Sequence, residues 1–320
     1  MRPVFLDCDT GIDDSLAIGY LLASPEIQLV GVGTCNGNID AVQAARNTLD
    51  LIALAGRTNV PVAIGSPDFY KTNFEGGVPH IHGHNGIGDI EIPRGARDPE
   101  TGVDAAQLLI DLAEKYGGAL EVVSVGPVTN LAHALDRDPT LPGKVKKVVS
   151  MGGAALAPGN ISAVAEANIG NDPEAAAKLV QADWDFTLVP LDVTMNHQLF
   201  EEDRKALLAA PSAFSRALGD ILDLYFNFYR GVYGERSCAL HDPLAAAILV
   251  GGIKPSKAPI VPIVVDDTFG PGRGQTLCDM RGQRAGTFDH EGLKTRVVLE
   301  TDKPLRPHLI ERLLTFSAPH

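Results

Sequence analysis

The sequence predicts an α/β fold with a mostly parallel central sheet flanked by helices, in an open, Rossmann-like arrangement. Short apolar runs alternate with helical patterns from residue 4 to residue 189, and this alternation is typical of βαβ units. The first apolar run, Val4 to Leu6, is followed directly by four carboxylates, and open α/β sheets bind ligands beyond the carboxyl ends of their strands. The chain contains no internal repeat and no low-complexity linker, so residues 1–320 are predicted to form a single domain.

The predicted elements follow one another in a regular order. After the first strand, further strands are predicted at 27–32, 60–64, 120–125, 145–151 and 186–189, with helices at 41–55 and 103–116. Beyond them, helical patterns cover 200–233, 241–250 and 304–316, and apolar runs at 261–265, 275–279 and 295–300 are predicted to be strands of a side sheet. Two long glycine-rich loops, 65–97 and 152–171, interrupt the alternation. Long loops inside a compact domain are usually functional.

Composition narrows the possible partners. The chain is 45% hydrophobic with a formal net charge of −13, so nucleic acid and anionic membranes are not expected to bind it. A small neutral ligand or a metal ion is favoured. The N-terminus leads directly into a strand without a signal-peptide pattern, and the four cysteines form no C-x-x-C pair, so a cytoplasmic location with reduced thiols is expected.

The acidic run Asp7-Cys8-Asp9-Thr10-Gly11-Ile12-Asp13-Asp14 is the strongest signal in the sequence. Like charges about 4 Å apart repel by roughly 4 kcal/mol at an effective dielectric constant of about 20. A hard divalent cation removes this repulsion, and oxygen-only ligands suit Ca²⁺ or Mg²⁺. In the alternative interpretation, Asp13 and Asp14 only favour the helix dipole, and Asp7 is a buried hydrogen-bonding residue.

Histidines and asparagines follow the next predicted strands. Asn38 is the last residue of the stretch 34–38, which follows the second predicted strand. From the residues alone, this stretch is predicted to be a turn. His80, His82 and His84 lie within a glycine-rich loop. No fourth ligand at a fixed spacing accompanies them, so a mobile loop that carries a polar contact is favoured over a zinc site.

Polar groups also occur in the second glycine-rich loop, 152–171, and at the start of the 241–250 helix. Asn160, Glu166 and Asn168 can hydrogen-bond to ligand hydroxyl groups, although a solvated loop is equally compatible with them. His241 and Asp242 stand at the start of the predicted 241–250 helix, where a capping aspartate is the usual explanation.

Taken together, these motifs resemble the inosine–uridine-preferring nucleoside hydrolase family. The acidic run is similar to the family signature D-x-D-P-G-x-D-D, with Thr10 in place of its proline. Further matches are the G-N loop, the H-G-x-x-G loop, the turn at 125–130, the M-G-G to D-P-E-A run and the H-D pair at 241–242. They keep the family's order and spacing along nearly the whole chain.

The resemblance implies a nucleoside hydrolase fold and metal-dependent hydrolysis of the N-glycosidic bond of ribonucleosides, giving free base and ribose. It implies one Ca²⁺ held by Asp9, Asp14, the carbonyl oxygen of Val125 and Asp242. Asp9 is then the base that activates water, and His241 is the acid that protonates the leaving base. The implied substrate contacts are Asp13, Asn38, His82, Asn160, Glu166 and Asn168, with Tyr225 and Tyr229 as candidates to contact the base.

Two other functions are considered. Asp7-Cys8-Asp9 invites comparison with a Mg²⁺-dependent phosphohydrolase of the D-x-D type, but that motif requires threonine or valine where this chain has Gly11. A non-catalytic nucleoside-binding protein is the second alternative. The sequence does not specify the preferred base, the physiological nucleoside or roles for His80 and His84. The resemblance leads us to expect a homo-oligomer, either a dimer or a tetramer, with a role in nucleoside catabolism or salvage.

Overall fold

Seven parallel strands form the central sheet of the structure, a computed structural model that describes residues 1–284, 286 and 289–317. The strands of the described chain are β1 (Arg2–Cys8), β2 (Ile27–Thr34), β3 (Val62–Ile64), β4 (Leu120–Ser124), β5 (Val145–Met151), β6 (Phe186–Val189), β7 (Gln198–Phe200), β8 (Ser237–Ala239), β9 (Pro255–Lys257), β10 (Ile263–Val265), β11 (Thr276–Cys278), β12 (Thr295–Val297) and β13 (Glu300–Thr301). The helices are α1 (Ile12–Leu22), α2 (Ala41–Leu54), α3 (Pro79–His82), α4 (Ala105–Tyr116), α5 (Thr129–Arg137), α6 (Ala167–Asn171), α7 (Pro173–Gln181), α8 (Leu191–Thr194), α9 (Glu201–Leu208), α10 (Ala213–Tyr233), α11 (His241–Val250), α12 (Arg281–Arg284) and α13 (Leu305–Thr315).

The strand order of the central sheet is β12-β6-β5-β4-β1-β2-β3. The chain therefore builds outward from β1 through β2 to β3, then returns to the other side of β1 with β4. This reversal is a topological switch point, and such points open a crevice at the carboxyl ends of the strands. The acidic run follows β1 directly and so lies at this crevice.

Both faces of β1 are buried, as its uninterrupted apolar sequence requires. Val4 and Leu6 pack on one face with residues of α1, α10, α11 and α13. Phe5 points to the other face and packs with residues of α4, α5 and α7. Because successive side chains of a strand alternate between faces, the strand joins the two helical layers and fixes the position of the turn that follows it.

The predicted α/β fold with a parallel central sheet is confirmed, and most predicted elements lie within a few residues of the observed ones. Two details were wrong. The helical pattern at 200–233 is two helices separated around Pro211, and Phe200 ends strand β7. The 295–300 run is divided, because β12 (Thr295–Val297) pairs in parallel with β6 at the edge of the central sheet, whereas Glu300 begins β13, which pairs antiparallel with β9 in a separate sheet. The other two late strands, β10 and β11, do form a separate antiparallel pair.

No helix among the described residues is both long enough and apolar enough to span a bilayer.

Candidate active site

A cavity of about 380 Å³ opens at the carboxyl ends of the central strands. Its wall brings together groups that are distant in the sequence, from the turn after β1 to the start of α11. The lining includes most of the predicted site residues: Asp13, Asn38, His82, Val125, Asn160, Glu166, Asn168, Tyr225, Tyr229, His241 and Asp242. Asp9 and Asp14 do not line the cavity, and both are buried in the structure.

Asp14 is held by backbone and side-chain donors of the surrounding turns. Its Oδ1 accepts a hydrogen bond from the Asp9 amide at 3.2 Å, and its Oδ2 accepts from the Gly11 amide at 2.8 Å. The side chain of Asn38 donates to the same Oδ2 at 3.0 Å. These contacts fix the carboxylate at the first turn of α1, where the helix dipole also favours negative charge.

Asp9 and Asp13 each keep one oxygen without a partner. The Oδ2 of Asp9 accepts a hydrogen bond from the Asn38 amide at 2.6 Å, and the Oδ2 of Asp13 accepts one from the Tyr225 hydroxyl at 3.0 Å. The Oδ1 atoms of both residues are buried and make no hydrogen bond among the described residues. Because buried polar atoms are nearly always paired, these two oxygens point to a ligand.

Negative charge is concentrated in the floor of the cavity. Asp13, Asp14 and Asp242 each have a carboxylate oxygen within 4.8 Å of the other two. Burial raises the pKa of Asp9 and Asp13 to about 7, and it raises the pKa of Asp14 and Asp242 well above the usual range, with repulsion from neighbouring carboxylates adding to the effect. None of the described residues that line the cavity is lysine or arginine. The donor set therefore fits a divalent cation that prefers oxygen ligands.

The carbonyl oxygen of Val125 belongs to the turn after β4, beside this cluster. A side chain at Gly126, the next residue, would place its Cβ 2.7 Å from the unpartnered Oδ1 of Asp9. The Val125 oxygen accepts a hydrogen bond from Asn168 Nδ2 at 2.9 Å. A carbonyl oxygen has two lone pairs, so one remains for a further contact.

Glu166 and Asn168 are held by the start of α6. The Glu166 carboxylate caps this helix, accepting hydrogen bonds from the amides of Asn168 at 2.9 Å and Ile169 at 3.1 Å. It also accepts from the Gly153 amide at 2.8 Å. Asn160 lies in the preceding loop and is exposed at the rim of the cavity. The two asparagines and the glutamate thus offer polar groups along one wall.

Two buried histidines form the opposite side of the cavity. The Nδ1 of His82 accepts a hydrogen bond from the Ile12 amide at 3.0 Å, and burial lowers the pKa of this ring to about 3. His241 Nε2 lies 2.6 Å from the Tyr229 hydroxyl, and its Nδ1 lies 2.7 Å from Thr194 Oγ1. Burial lowers the pKa of His241 to about 4, so both rings are neutral near pH 7.

Sequence reasoning missed two kinds of contact at this site. Thr194 lies on α8, a four-residue helix that no pattern indicated, and it contacts His241 across 47 positions of the chain. Asp7, described above as a possible buried hydrogen-bonding residue, accepts hydrogen bonds from Asn130 Nδ2 at 2.8 Å and from Ser124 Oγ at 3.2 Å. The sequence indicates Asn130 as the last residue of the 125–130 turn, but it does not indicate that Asn130 contacts Asp7.

An acidic cluster at the switch point of an all-parallel sheet, beneath a cavity lined by polar side chains, is typical of an enzyme that binds a metal ion and a small polar ligand. The family model described as "Inosine-uridine preferring nucleoside hydrolase" matches residues 4–305. The chain belongs to this family and is an enzyme that hydrolyses ribonucleosides.

Particular relatives support this assignment. The chain is 37% identical over 254 residues to uridine nucleosidase 1 of Arabidopsis thaliana, covering 77% of this chain and 73% of the relative. It is 32% identical to the inosine-uridine preferring nucleoside hydrolase of Crithidia fasciculata, and the match covers 94% of this chain and 93% of the relative. Among solved structures, the purine-preferring ribonucleoside hydrolase of Gardnerella vaginalis superposes with a TM-score of 0.88 at 34% identity, covering 98% of this chain and 97% of that one. The matches lend no support to a phosphohydrolase or to a non-catalytic binding protein.

Proposed function

We propose that the enzyme uses one Ca²⁺, held by Asp9, Asp14, Asp242 and the carbonyl oxygen of Val125, to hydrolyse the N-glycosidic bond of ribonucleosides. The observation that carries this proposal is the group of buried carboxylates beneath the cavity: Asp13, Asp14 and Asp242 have carboxylate oxygens within 4.8 Å of one another, and Asp13 and the neighbouring Asp9 each keep one unpartnered oxygen. When bound, such an ion supplies positive charge that offsets the carboxylate repulsion and lowers the pKa of water. Asp13 is close enough to Asp14 and Asp242 to share in this charge compensation.

Asp9 is the general base of the proposed mechanism. Its Oδ2 is occupied by the Asn38 amide, whereas its Oδ1 is free to take a proton. The attacking water gives this proton to Asp9 while its oxygen bonds to the anomeric carbon of the ribose. The bond between that carbon and the base nitrogen breaks at the same time, so the sugar has oxocarbenium character.

The ribose is held by polar groups of the cavity wall. We assign its hydroxyl contacts to Asp13, Asn38, Glu166 and Asn168, with Asn160 at the rim on the 5′ side. The hydrogen bonds described above hold Glu166 and Asn168 in place before substrate binds. Preorganised groups of this kind lower the barrier by positioning the sugar and by stabilising its charge.

His241 is the proposed acid for the departing base. Its Nε2 shares a 2.6 Å hydrogen bond with Tyr229, and its Nδ1 faces the Thr194 hydroxyl. With the Thr194 hydroxyl donating to Nδ1, the one N–H proton of the neutral ring is on Nε2 and reaches the departing base nitrogen through the Tyr229 hydroxyl. The proton that Asp9 took from water restores the ring after the base has left. Tyr225 and Tyr229 form the adjacent wall, their rings 4.8 Å apart in an edge-to-face arrangement, and the 65–97 loop with His82 completes the base side.

A panel of nucleosides assayed for free ribose tests the proposed function. We expect release of ribose and free base from inosine, uridine or both, loss of the activity on treatment with a calcium chelator, and recovery on addition of CaCl₂. A generic aryl phosphate serves as the control substrate and is expected to remain intact. Binding of nucleosides without release of ribose would contradict the proposal. We further propose that the enzyme is a cytoplasmic homo-oligomer that acts in nucleoside catabolism or salvage.

A further inference from the structure

A single buried amide joins the acidic turn to the loop on the base side of the cavity. Asn47 lies on α2 and is 2% exposed. Its Nδ2 donates to the carbonyl oxygen of Thr10 at 3.1 Å and to that of Asn85 at 2.8 Å. Gln43 Nε2 donates to its Oδ1 at 2.8 Å. Two acceptors and one donor therefore set the orientation of this amide without ambiguity.

The loop that receives one of these hydrogen bonds is internally braced and includes His82. The Asn85 side chain accepts from the amides of Ile87 at 2.9 Å and Asp89 at 3.0 Å, and it donates to the carbonyl of Ile90 at 3.0 Å. The Gly88 amide donates to the carbonyl oxygen of His82 at 2.7 Å. Residues 82–90 therefore form one hydrogen-bonded unit.

Two side chains connect this unit to the acidic turn, one on each side of Gly11. The Nδ1 of His82 accepts from the Ile12 amide, and Asn47 bridges the carbonyls of Thr10 and Asn85. A side chain at Gly11 would place its Cβ 2.5 Å from His82 Nδ1, which shows how closely the loop and the turn approach. Without Asn47, only the His82 contact would remain of these two side-chain links.

Thr10 supplies a separate link between the turn and α2. The Thr48 hydroxyl has one proton and lies 2.9 Å from the carbonyl oxygen of Ala44. With that proton donated to Ala44, the 2.6 Å contact between the two threonine hydroxyls has Thr10 as the donor. This bond holds the turn against α2 but does not reach the loop, so it provides a matched control for Asn47.

We propose that Asn47 is a positioning residue that holds the 82–90 loop, and with it His82, against the acidic turn. It touches neither substrate nor metal ligands, and it acts through His82. The inference rests on the proposed placement of the ribonucleoside against His82. Because Asn47 orders the loop, its loss increases the conformational freedom of His82 and leaves two buried carbonyls without a donor.

A double-mutant cycle tests the coupling. We expect Asn47→Ala to lower kcat/KM about tenfold, the order of one buried hydrogen bond. Asn47→Asp, which keeps the shape but has no N–H, should give a similar loss. In a His82→Ala background, Asn47→Ala should cost less than about twofold, because its target is already absent. An equal loss of kcat/KM in both backgrounds would overturn the proposal.

Hydrogen exchange provides the second readout, with Thr48→Val as the control. Asn47→Ala should accelerate exchange of the Gly86 and Gly88 amides, whereas Thr48→Val should lower Tm but leave both amides and kcat/KM near the parent values. Unchanged loop exchange in Asn47→Ala, or equal acceleration in Thr48→Val, would overturn the proposal even if the enzyme remains active. Loss of ribose release in every variant and in the parent would instead refute the proposed function.

Discussion

The carboxylates beneath the cavity differ in how many of their oxygens are already occupied, and this difference suits them to different roles. Both oxygens of Asp14 accept hydrogen bonds from the surrounding turns. Asp9 has one occupied and one free oxygen. A carboxylate with both oxygens fixed by hydrogen bonds is suited to be a rigid metal ligand. A general base needs an oxygen with a free lone pair that can accept the proton of water.

Replacing Asp9 with asparagine tests its role as the base. Asp9→Asn keeps the shape and the acceptor for the Asn38 amide but removes one negative charge and the proton acceptor. We expect kcat to fall by several powers of ten with the fold retained, since loss of a general base alone costs about 10²–10⁴-fold. Steady-state kinetics with circular dichroism measure both effects. A variant within about tenfold of the parent would move the base elsewhere.

The leaving group distinguishes the two possible roles of His241. If the ring protonates the departing base, His241→Ala should cripple hydrolysis of inosine and largely spare p-nitrophenyl riboside, whose phenolate leaves without a proton. Both ring nitrogens contact hydroxyl groups, those of Tyr229 and Thr194, so in this role the proton reaches the base through the Tyr229 hydroxyl. An equal loss on both substrates would show that His241 has a structural role or binds the sugar, with His82 the next candidate acid.

For single residues, the sequence was enough to predict which charged side chains belong to the site. It was not enough to predict which backbone atoms and distant side chains contact them. Asp9, Asp13 and Asp14 stand together in one motif, so their clustering follows from local geometry. The Val125 carbonyl was proposed as a metal ligand only through the family resemblance, because any residue type carries the same oxygen. The contact between His241 and Thr194 depends on how α8 packs beside α11, which no local pattern indicates.

Among the elements, the turns after β1, β2 and β4 approach one another so closely that glycine is required between them. A Cβ at Gly37 would lie 2.1 Å from Asp9 Oδ2 and 2.9 Å from Cδ of Pro127. Three turns from separate strands are thus packed with no room for a methyl group. This packing places the Asn38 amide, in the turn after β2, within hydrogen-bond distance of the Asp9 carboxylate.

Gly37→Ala tests whether that close packing is needed. The added methyl must displace Asp9 or the turn after β4, and overpacking of this kind costs about 1–3 kcal/mol of unfolding free energy. We expect weaker calcium binding and a lower kcat/KM, measured by calorimetric titration and kinetics. Gly143→Ala is the control, because its Cβ meets nothing within 4 Å. Similar behaviour of the two variants would contradict the steric argument.

Strand and helix types were predictable where the apolar pattern was regular, and less so where tertiary packing decides. β5, β6 and α11 have the predicted boundaries. The split between α9 and α10 was signalled by Pro211, since proline disfavours a helical conformation at the residue before it. The pairing of β12 with β6 joins segments about a hundred positions apart. The sequence of such a strand does not indicate which sheet it joins.

Across the whole molecule, the net charge of −13 and the buried acidic cluster act in the same direction. Both favour association with cations, and the cluster lies where β1, β2 and β4 meet α1 and α11. An ion held there would contact residues that follow β1 and β4 together with residues at the start of α11. Ion binding and global stability should be linked, because an ion that binds only the folded state stabilises it.

Calcium removal tests this linkage in the intact protein. We expect about one Ca²⁺ per chain by elemental analysis, and a chelator should lower Tm by about 4 °C, since saturation at 100 times Kd contributes about 2.7 kcal/mol. Asp14→Ala should lose the ion, and its Tm should no longer respond to calcium. Its Tm should also be lower than that of the parent, because without the ion the carboxylates of Asp9 and Asp242 repel each other. Asp183→Ala, whose side chain is 87% exposed, should keep the full calcium response. Stoichiometric zinc with no calcium, or an unchanged Tm on chelation, would show that the acidic cluster does not hold the proposed ion.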